Sequence, residues 1–276
     1  MLNLSDIRGL IVDMDGVLYR GKTALPGAAA LFPALDRLGI RYLMVTNNSS
    51  LSPAQYAVKL AELGIGNLPP ATIYTSALAT ADWLASLPAH APGPDGGESS
   101  SSFYYIGGRS VREALEQRGF VYAEQRPDYV VIGLDPELTY TKLKLATLAI
   151  RAGARFVATN PDVTLPTEEG LSPGAGAIVA AVVAATDVQP TVIGKPHPPI
   201  MAQAIKLLGV PAGQVAALGD RLDTDIDGGK AAGLTTIMVL TGVSTLAEAE
   251  ARTPEQRPDY VFVGLAELIE ELRLWQ

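Results

Sequence analysis

Four groups of polar residues each follow a hydrophobic run: Asp13-Met14-Asp15-Gly16, Thr46-Asn47-Asn48, Gly194-Lys195-Pro196 and Gly219-Asp220-Arg221-Leu222-Asp223-Thr224-Asp225. Paired carboxylates either share a proton or bind a cation. A hydroxyl, two carboxamides and an ammonium can hold a phosphate, so together the groups suit a hard cation and a phosphoryl anion. Asp13 and Asp15 lie two apart at a strand end, where an extended chain points both to one face. Gly16 lets the chain turn close to a ligand. Each group also has a plainer reading by itself. Asp13–Gly16 reads as a turn with backbone-bonded aspartates, Thr46–Asn48 as another turn, and Lys195 as a solvated charge. The acidic run reads as a helix N-terminus favoured by the helix dipole. Within that run Asp223 is expected to cap and orient, and Asp220 and Asp225 are the metal candidates. Pro196 restrains the backbone of Lys195 and gives its ammonium a defined starting point.

The runs before these groups predict strands at Leu10–Val12, Tyr42–Val45, Thr191–Ile193 and Val215–Leu218. In an open parallel sheet, ligands sit beyond the carboxyl ends of the strands. One sheet holding all four would therefore bring the four polar groups to one edge. Strand-like and helix-like segments alternate along the chain, which predicts an α/β fold with right-handed crossovers. Helices are expected near 28–38, from Pro53 after an N-cap at Ser52, and over 78–87 with Ser76 as cap. The stretch from Leu78 to Ala185 carries its own strands at Phe103–Ile106, Tyr129–Ile132 and Arg155–Ala158, with helices between. It predicts an inserted α/β domain able to close over the first sheet's edge, with a Rossmann-like parallel core in 1–77 and 186–276. Pro88–Ser102, rich in Pro, Gly and Ser, reads as a flexible surface loop. Arg126-Pro127-Asp128-Tyr129 and Arg257-Pro258-Asp259-Tyr260 begin two similar turn-plus-buried-strand solutions and not a tandem repeat.

The chain of 276 residues carries a net charge of −8, which argues against a nucleic-acid partner. Without cysteine there is no disulfide, thiolate zinc site or cysteine nucleophile. The two histidines, His90 and His197, do not supply a serine–histidine triad or a multi-histidine metal site. No apolar stretch reaches membrane-spanning length, and Met1–Arg8 does not look like a signal peptide, so a cytoplasmic location is expected.

Taken together, the four motifs resemble the haloacid dehalogenase superfamily. That family is marked by an Asp-x-Asp strand end, a Ser/Thr strand end, a Lys, and an acidic Gly-Asp-x-x-x-Asp, in this order. The extended forms, from Asp13-Met14-Asp15-Gly16-Val17-Leu18-Tyr19-Arg20-Gly21 to Gly219–Ile226, and the stretch Ala158-Thr159-Asn160-Pro161-Asp162, are similar to the NagD-like subfamily IIA with a C2-type cap. The resemblance implies a phosphomonoester hydrolase. Asp13 would be its nucleophile, Asp15 its acid and base, and Thr46, Asn47, Asn48 and Lys195 the groups around the phosphoryl oxygens. It further implies Mg²⁺ held by Asp13, Asp220, Asp225 and the Asp15 backbone carbonyl. Substrate choice is expected from the cap segment Asn160–Leu171, with Asn160, Asp162 and Leu165 as substrate-binding candidates. Some relatives place a histidine toward the substrate near Leu165, and a leucine there weakens a claim to their substrates. The partner is a small phosphate ester, from nitrophenyl phosphate or phosphoglycolate to a sugar phosphate, nucleotide or pyridoxal phosphate; a homodimer is the other partner expected.

Asp15 and the complete acidic cluster disfavour a dehalogenase, because displacement at carbon needs no magnesium. A phosphomutase requires a cap that excludes water. A non-catalytic phosphate-binding module gains nothing from the Asp13/Asp15 pair.

Overall fold

The computed structural model describes residues 3–88, 101–167 and 170–274. Most of the segment read as a flexible loop, 89–100, and the acidic pair Glu168 and Glu169, lie outside the described residues. The chain divides into two compact units: 1–46, 53–74 and 195–276 form the first, and 47–52 with 75–194 the second.

The first unit is built on a six-stranded sheet ordered Tyr260–Phe262, Thr235–Val239, Val215–Gly219, Gly9–Val12, Arg41–Thr46, Ile73–Thr75. Gly9–Val12 pairs in parallel with Val215–Leu218 on one side and Arg41–Met44 on the other. Gly9–Val12, Val215–Gly219 and Thr235–Val239 are buried along their whole length. Continuous apolar runs of this kind are what a parallel sheet covered on both faces requires. From Gly9–Val12 the chain goes to one side of the sheet and later returns to the other. The order therefore reverses between Gly9–Val12 and Val215–Gly219, the crevice where such sheets bind ligands. Asp13 and Asp220 are the first residues beyond these two strands.

The second unit holds a five-stranded parallel sheet ordered Thr191–Val192, Arg155–Ala158, Tyr129–Ile132, Ser102–Ile106, Val121–Tyr122. The expectation that Thr191–Ile193 joins the first sheet is corrected: Thr191 and Val192 pair with Val157 and Ala158. Lys195 thus leaves from an edge strand of the second sheet. The segment 160–171 is not a plain loop. It opens an antiparallel hairpin, Thr164–Thr167 against Gly170–Pro173, before helix Ala175–Thr186.

Local signals set the helix ends. The first residue of the helix after Ser52 is Pro53, as expected. Thr75, not Ser76, caps Ser76–Ala85 by accepting from the Leu78 amide at 3.3 Å. The Ser76 hydroxyl instead donates to the Asn47 carbonyl at 2.5 Å. The two Arg-Pro-Asp-Tyr segments share one device. The Asp128 carboxylate accepts from the Ser102 amide and hydroxyl, and the Asp259 carboxylate from the Thr236 amide and hydroxyl. Each aspartate thereby staples the start of its strand to the neighbouring strand. Only the first of these strands is fully buried; Tyr260–Phe262 is a half-buried sheet edge.

Candidate active site

The strand Gly9–Val12 delivers Asp13 into the interior, 9% exposed, and the chain then turns at once. The Leu18 amide bonds the Met14 carbonyl at 2.8 Å, and Gly16 takes φ +80°, which suits glycine. A side chain at position 16 would stand 2.5 Å from the Asp220 carboxylate, so glycine is also needed for this approach. The turn corrects the same-face reading of the aspartate pair. Asp13 is buried, whereas Asp15 is exposed. The two carboxylates therefore have different surroundings and can take different roles.

Lys195 reaches the same place, 3% exposed. Its ammonium donates to Asp13 Oδ1 at 2.6 Å, Asp225 Oδ1 at 2.6 Å and the Val45 carbonyl at 3.0 Å. The last bond ties it to the strand that ends in buried Thr46. Carboxylate oxygens of Asp13, Asp220 and Asp225 lie within 4.8 Å of one another. Asp220 Oδ2 accepts from the Val243 amide at 2.7 Å, while Oδ1 is buried with no hydrogen-bond partner. A buried carboxylate oxygen without a partner is costly. Set among carboxylates with an ammonium alongside, it marks a position that a divalent cation fits.

Asp223 and Asp225 separate sharply. Residues 222–226 form a π-helical turn in which the Asp225 and Ile226 amides both bond the Arg221 carbonyl. This aims Asp225 back onto the Arg221 amide and Lys195. Asp223 does not cap; it pairs with the Arg221 guanidinium at 2.8 Å on the surface. Asp227 pairs with Arg252.

Burial raises the Asp13 carboxyl well above its ordinary value; Lys195 opposes this, while Asp225 and Asp220 add to it. Burial and then Asp225 push Asp220 up to about 7, against the Val243 amide and Lys195. Burial acts against the charge on Lys195, but Asp13 and Asp225 outweigh it and hold the ammonium charged. Desolvation of its carboxyl raises Asp15, opposed by Lys59, although the residue as a whole is exposed.

A pH dependence follows. A carboxyl raised from 3.8 to about 7 favours the metal-free fold at low pH, and that contribution is lost as pH climbs toward about 7. A cation must displace this proton. Metal affinity is therefore expected to rise at least about tenfold per pH unit below about 7 and to level off above it. Calorimetric titration with Mg²⁺ checks this, and a flat affinity across that range would contradict it.

Asn47 and Asn48 belong to the second unit's segment 47–52. The Asn47 carboxamide donates to Asp162 Oδ1 at 3.2 Å, and its carbonyl accepts from Asn160 Nδ2 at 2.7 Å. Asn48 Oδ1 accepts from the Ser50 amide at 2.9 Å, the local turn contact its residue type favours. Leu165 is half-buried on the hairpin.

The sequence reading missed the loop after strand Thr235–Val239. There Thr241 Oγ1 donates to the Gly16 carbonyl at 2.6 Å, and a side chain at Gly242 would meet Asp220 Oδ2 at 1.7 Å. The signal was present, because Thr241-Gly242 also follows a hydrophobic run. Lys59 was missed too. Its ammonium lies 3.8 Å from the Tyr19 ring centroid and interacts with Asp15.

Family models of haloacid dehalogenase-like hydrolases match residues 10–121 and 192–268. An acid sugar phosphatase of Staphylococcus aureus (strain USA300) is 43% identical, over 98% of this chain and 99% of its own. The chain belongs to the haloacid dehalogenase-like hydrolases. Among solved structures, a 4-nitrophenylphosphatase from Thermotoga maritima superposes with TM-score 0.88 at 35% identity, over 97% of this chain and 98% of its own. A glycerol phosphate phosphatase from Mycobacterium tuberculosis, solved with magnesium, gives TM-score 0.86 at 38% identity, over 100% and 80%. The same enzyme has been solved with calcium. Asp13 and Asp220, from the first and the last of the four motifs, follow the two strands between which the sheet order reverses. Among the described residues no helix is long and apolar enough to cross a membrane.

Proposed function

We propose that Asp13 is the nucleophile through which this phosphatase hydrolyses small phosphate monoesters, by way of an aspartyl-phosphate. The observation that carries this reading is the Asp13 carboxylate, buried at the sheet's switch point, bonded by Lys195 and grouped with Asp220 and Asp225. Asp13 Oδ would bond to phosphorus as the bond to the ester oxygen breaks. Asp15, exposed and apart from the cluster, would protonate that leaving oxygen. It would then take a proton from the water that attacks the aspartyl-phosphate. Local desolvation raises Asp15's carboxyl, which suits it to hold a proton nearer neutrality. Lys195, Thr46 and Asn47 would hold the phosphoryl oxygens as charge redistributes over them.

The carboxylates of Asp13 and Asp220 and the Asp15 carbonyl would hold Mg²⁺, with Asp225 orienting its waters. Bound there, the ion would offset repulsion between Asp13 and an anionic ester. The unpartnered Asp220 Oδ1 and the magnesium complex of the M. tuberculosis relative support this choice.

The second unit serves as the cap that selects the ester, and the names of the relatives favour sugar phosphates first, then nitrophenyl and glycerol phosphates. Exposed Val163 and Leu171 at the hairpin give it apolar surface to offer a ligand. A cytoplasmic location and a homodimer complete this reading; light scattering tests the dimer. Turnover of a phosphate-ester panel, with and without Mg²⁺, tests the whole. Activity on several esters that EDTA abolishes and Mg²⁺ restores is the expected result, and full turnover without metal would reject it. Replacing Asn160–Leu171 by a relative's hairpin is expected to reorder ester preference while leaving metal dependence unchanged. If it alters no ester's rate, recognition lies elsewhere.

A further inference from the structure

Asn47 is a meeting point for segments far apart in sequence. Its carbonyl accepts from Ser76 Oγ and Asn160 Nδ2, at 2.5 and 2.7 Å. Its carboxamide nitrogen donates to Asp162, and its Oδ1 lies where a side chain on Gly194 would meet it at 2.6 Å. Asn47 is therefore bracketed, with one end of its carboxamide on Asp162 and the other against Gly194. Thr46 precedes Asn47 in the chain, and Lys195 follows Gly194.

Asp162 is itself firmly set. Its amide bonds Asn160 Oδ1 at 3.1 Å, and its carbonyl accepts from the Gly176 amide at 2.8 Å, at the start of helix Ala175–Thr186. The Gly174 amide bonds the next carbonyl, that of Val163, at 2.8 Å. Gly174 and Gly176 admit this packing, since a side chain on either would fall 2.2 Å from the carbonyl of Asp162 or Pro161 respectively. A carboxylate at the base of the hairpin is thus pinned on its backbone and turned toward Asn47.

We infer that Asp162 is a positioning residue for phosphate, acting through Asn47, and not a contact to the ester group. It fixes the direction of the Asn47 carboxamide, and that side chain lies one residue from Thr46 and packs on the residue before Lys195. The hairpin base is thereby linked to both phosphoryl-holding residues through adjacent peptides. This rests on the reading of Asn47 as a phosphate ligand and adds a residue behind it.

The sign of one effect separates the roles. Removing a carboxylate near a phosphate site favours anion binding by charge alone. Loss of a positioning bond weakens it. We expect Asp162→Ala to raise the inhibition constant of inorganic phosphate, which has no ester group, by about tenfold, as for loss of one charge-assisted hydrogen bond. The kcat/KM values for nitrophenyl phosphate and a sugar phosphate should fall by that same factor. Asp162→Asn keeps an acceptor oxygen and should recover most of the loss. In the Asn47→Ala background, Asp162→Ala should cost nothing further. Unchanged or tighter phosphate binding in Asp162→Ala, with losses that differ between esters, would overturn the inference. If Asn47→Ala binds phosphate as the wild type does, the reading of Asn47 fails first and this inference with it. If only Asn47→Ala loses affinity, the inference alone fails.

Discussion

Asp13→Asn is expected to abolish turnover, by about three orders of magnitude or more in kcat, while yielding a folded protein that is more stable without metal at about pH 8. The asparagine cannot form the aspartyl-phosphate, so the covalent route is closed. The stability gain follows from the raised Asp13 carboxyl. Burial and the nearby Asp225 and Asp220 disfavour its charge, so its contribution to folding is lost as pH rises. Lys195 keeps Asp225 as a partner in the variant. Steady-state assays with Mg²⁺ and thermal melts without it check both halves. Activity within about tenfold of wild type, a barrier change of about 1.4 kcal/mol, would rule out Asp13 as nucleophile.

Lys195→Met should damage the fold strongly. It leaves two buried carboxylates, Asp13 and Asp225, without their shared cation. Removing one partner of a buried ion pair costs about 3–5 kcal/mol. The loss should be larger at about pH 8 than at about pH 5, because burial raises the Asp13 carboxyl and its proton uptake at the lower pH relieves part of the unpaired charge. Urea denaturation at the two pH values, without metal, measures it. Equal losses at both would mean that the lysine stabilises by packing and not by charge. Turnover should fall as well, since a phosphoryl-holding group is gone.

The grouping of Asp13, Asp220 and Asp225 was legible because two of them follow apolar runs, and parallel strands carry such runs to one edge. What failed was geometry finer than hydrophobicity can specify. The run Thr191–Ile193 announces a strand but not which sheet accepts it; a strand of two residues, Thr191–Val192, has no alternation that would reveal a face. The Asp13/Asp15 pair reads either as extended or as a turn, and the bonds that decide for the turn at Met14 are backbone contacts invisible in side-chain pattern. Asp223 is expected as a cap and Asp225 as a ligand, but a π-helical turn sends Asp223 outward to pair with Arg221 and Asp225 inward to Lys195. Asn47 looked like a simple phosphate ligand. Its ties to Ser76, Asn160 and Asp162 cross 29, 113 and 115 positions, beyond the reach of local pattern.

The central claim is that Asp13 carries the phosphoryl group, and Asp15→Asn with nitrophenyl phosphate tests it most directly. Nitrophenolate leaves without needing a proton, so phosphoryl transfer should proceed while the hydrolysis that requires Asp15 as base is slowed. Mixing with Mg²⁺ and quenching in acid should give a stoichiometric burst of nitrophenolate and a phosphoryl group on Asp13, located by peptide mass spectrometry. A burst with the label on another residue, or slow turnover with neither burst nor label, would contradict the assignment.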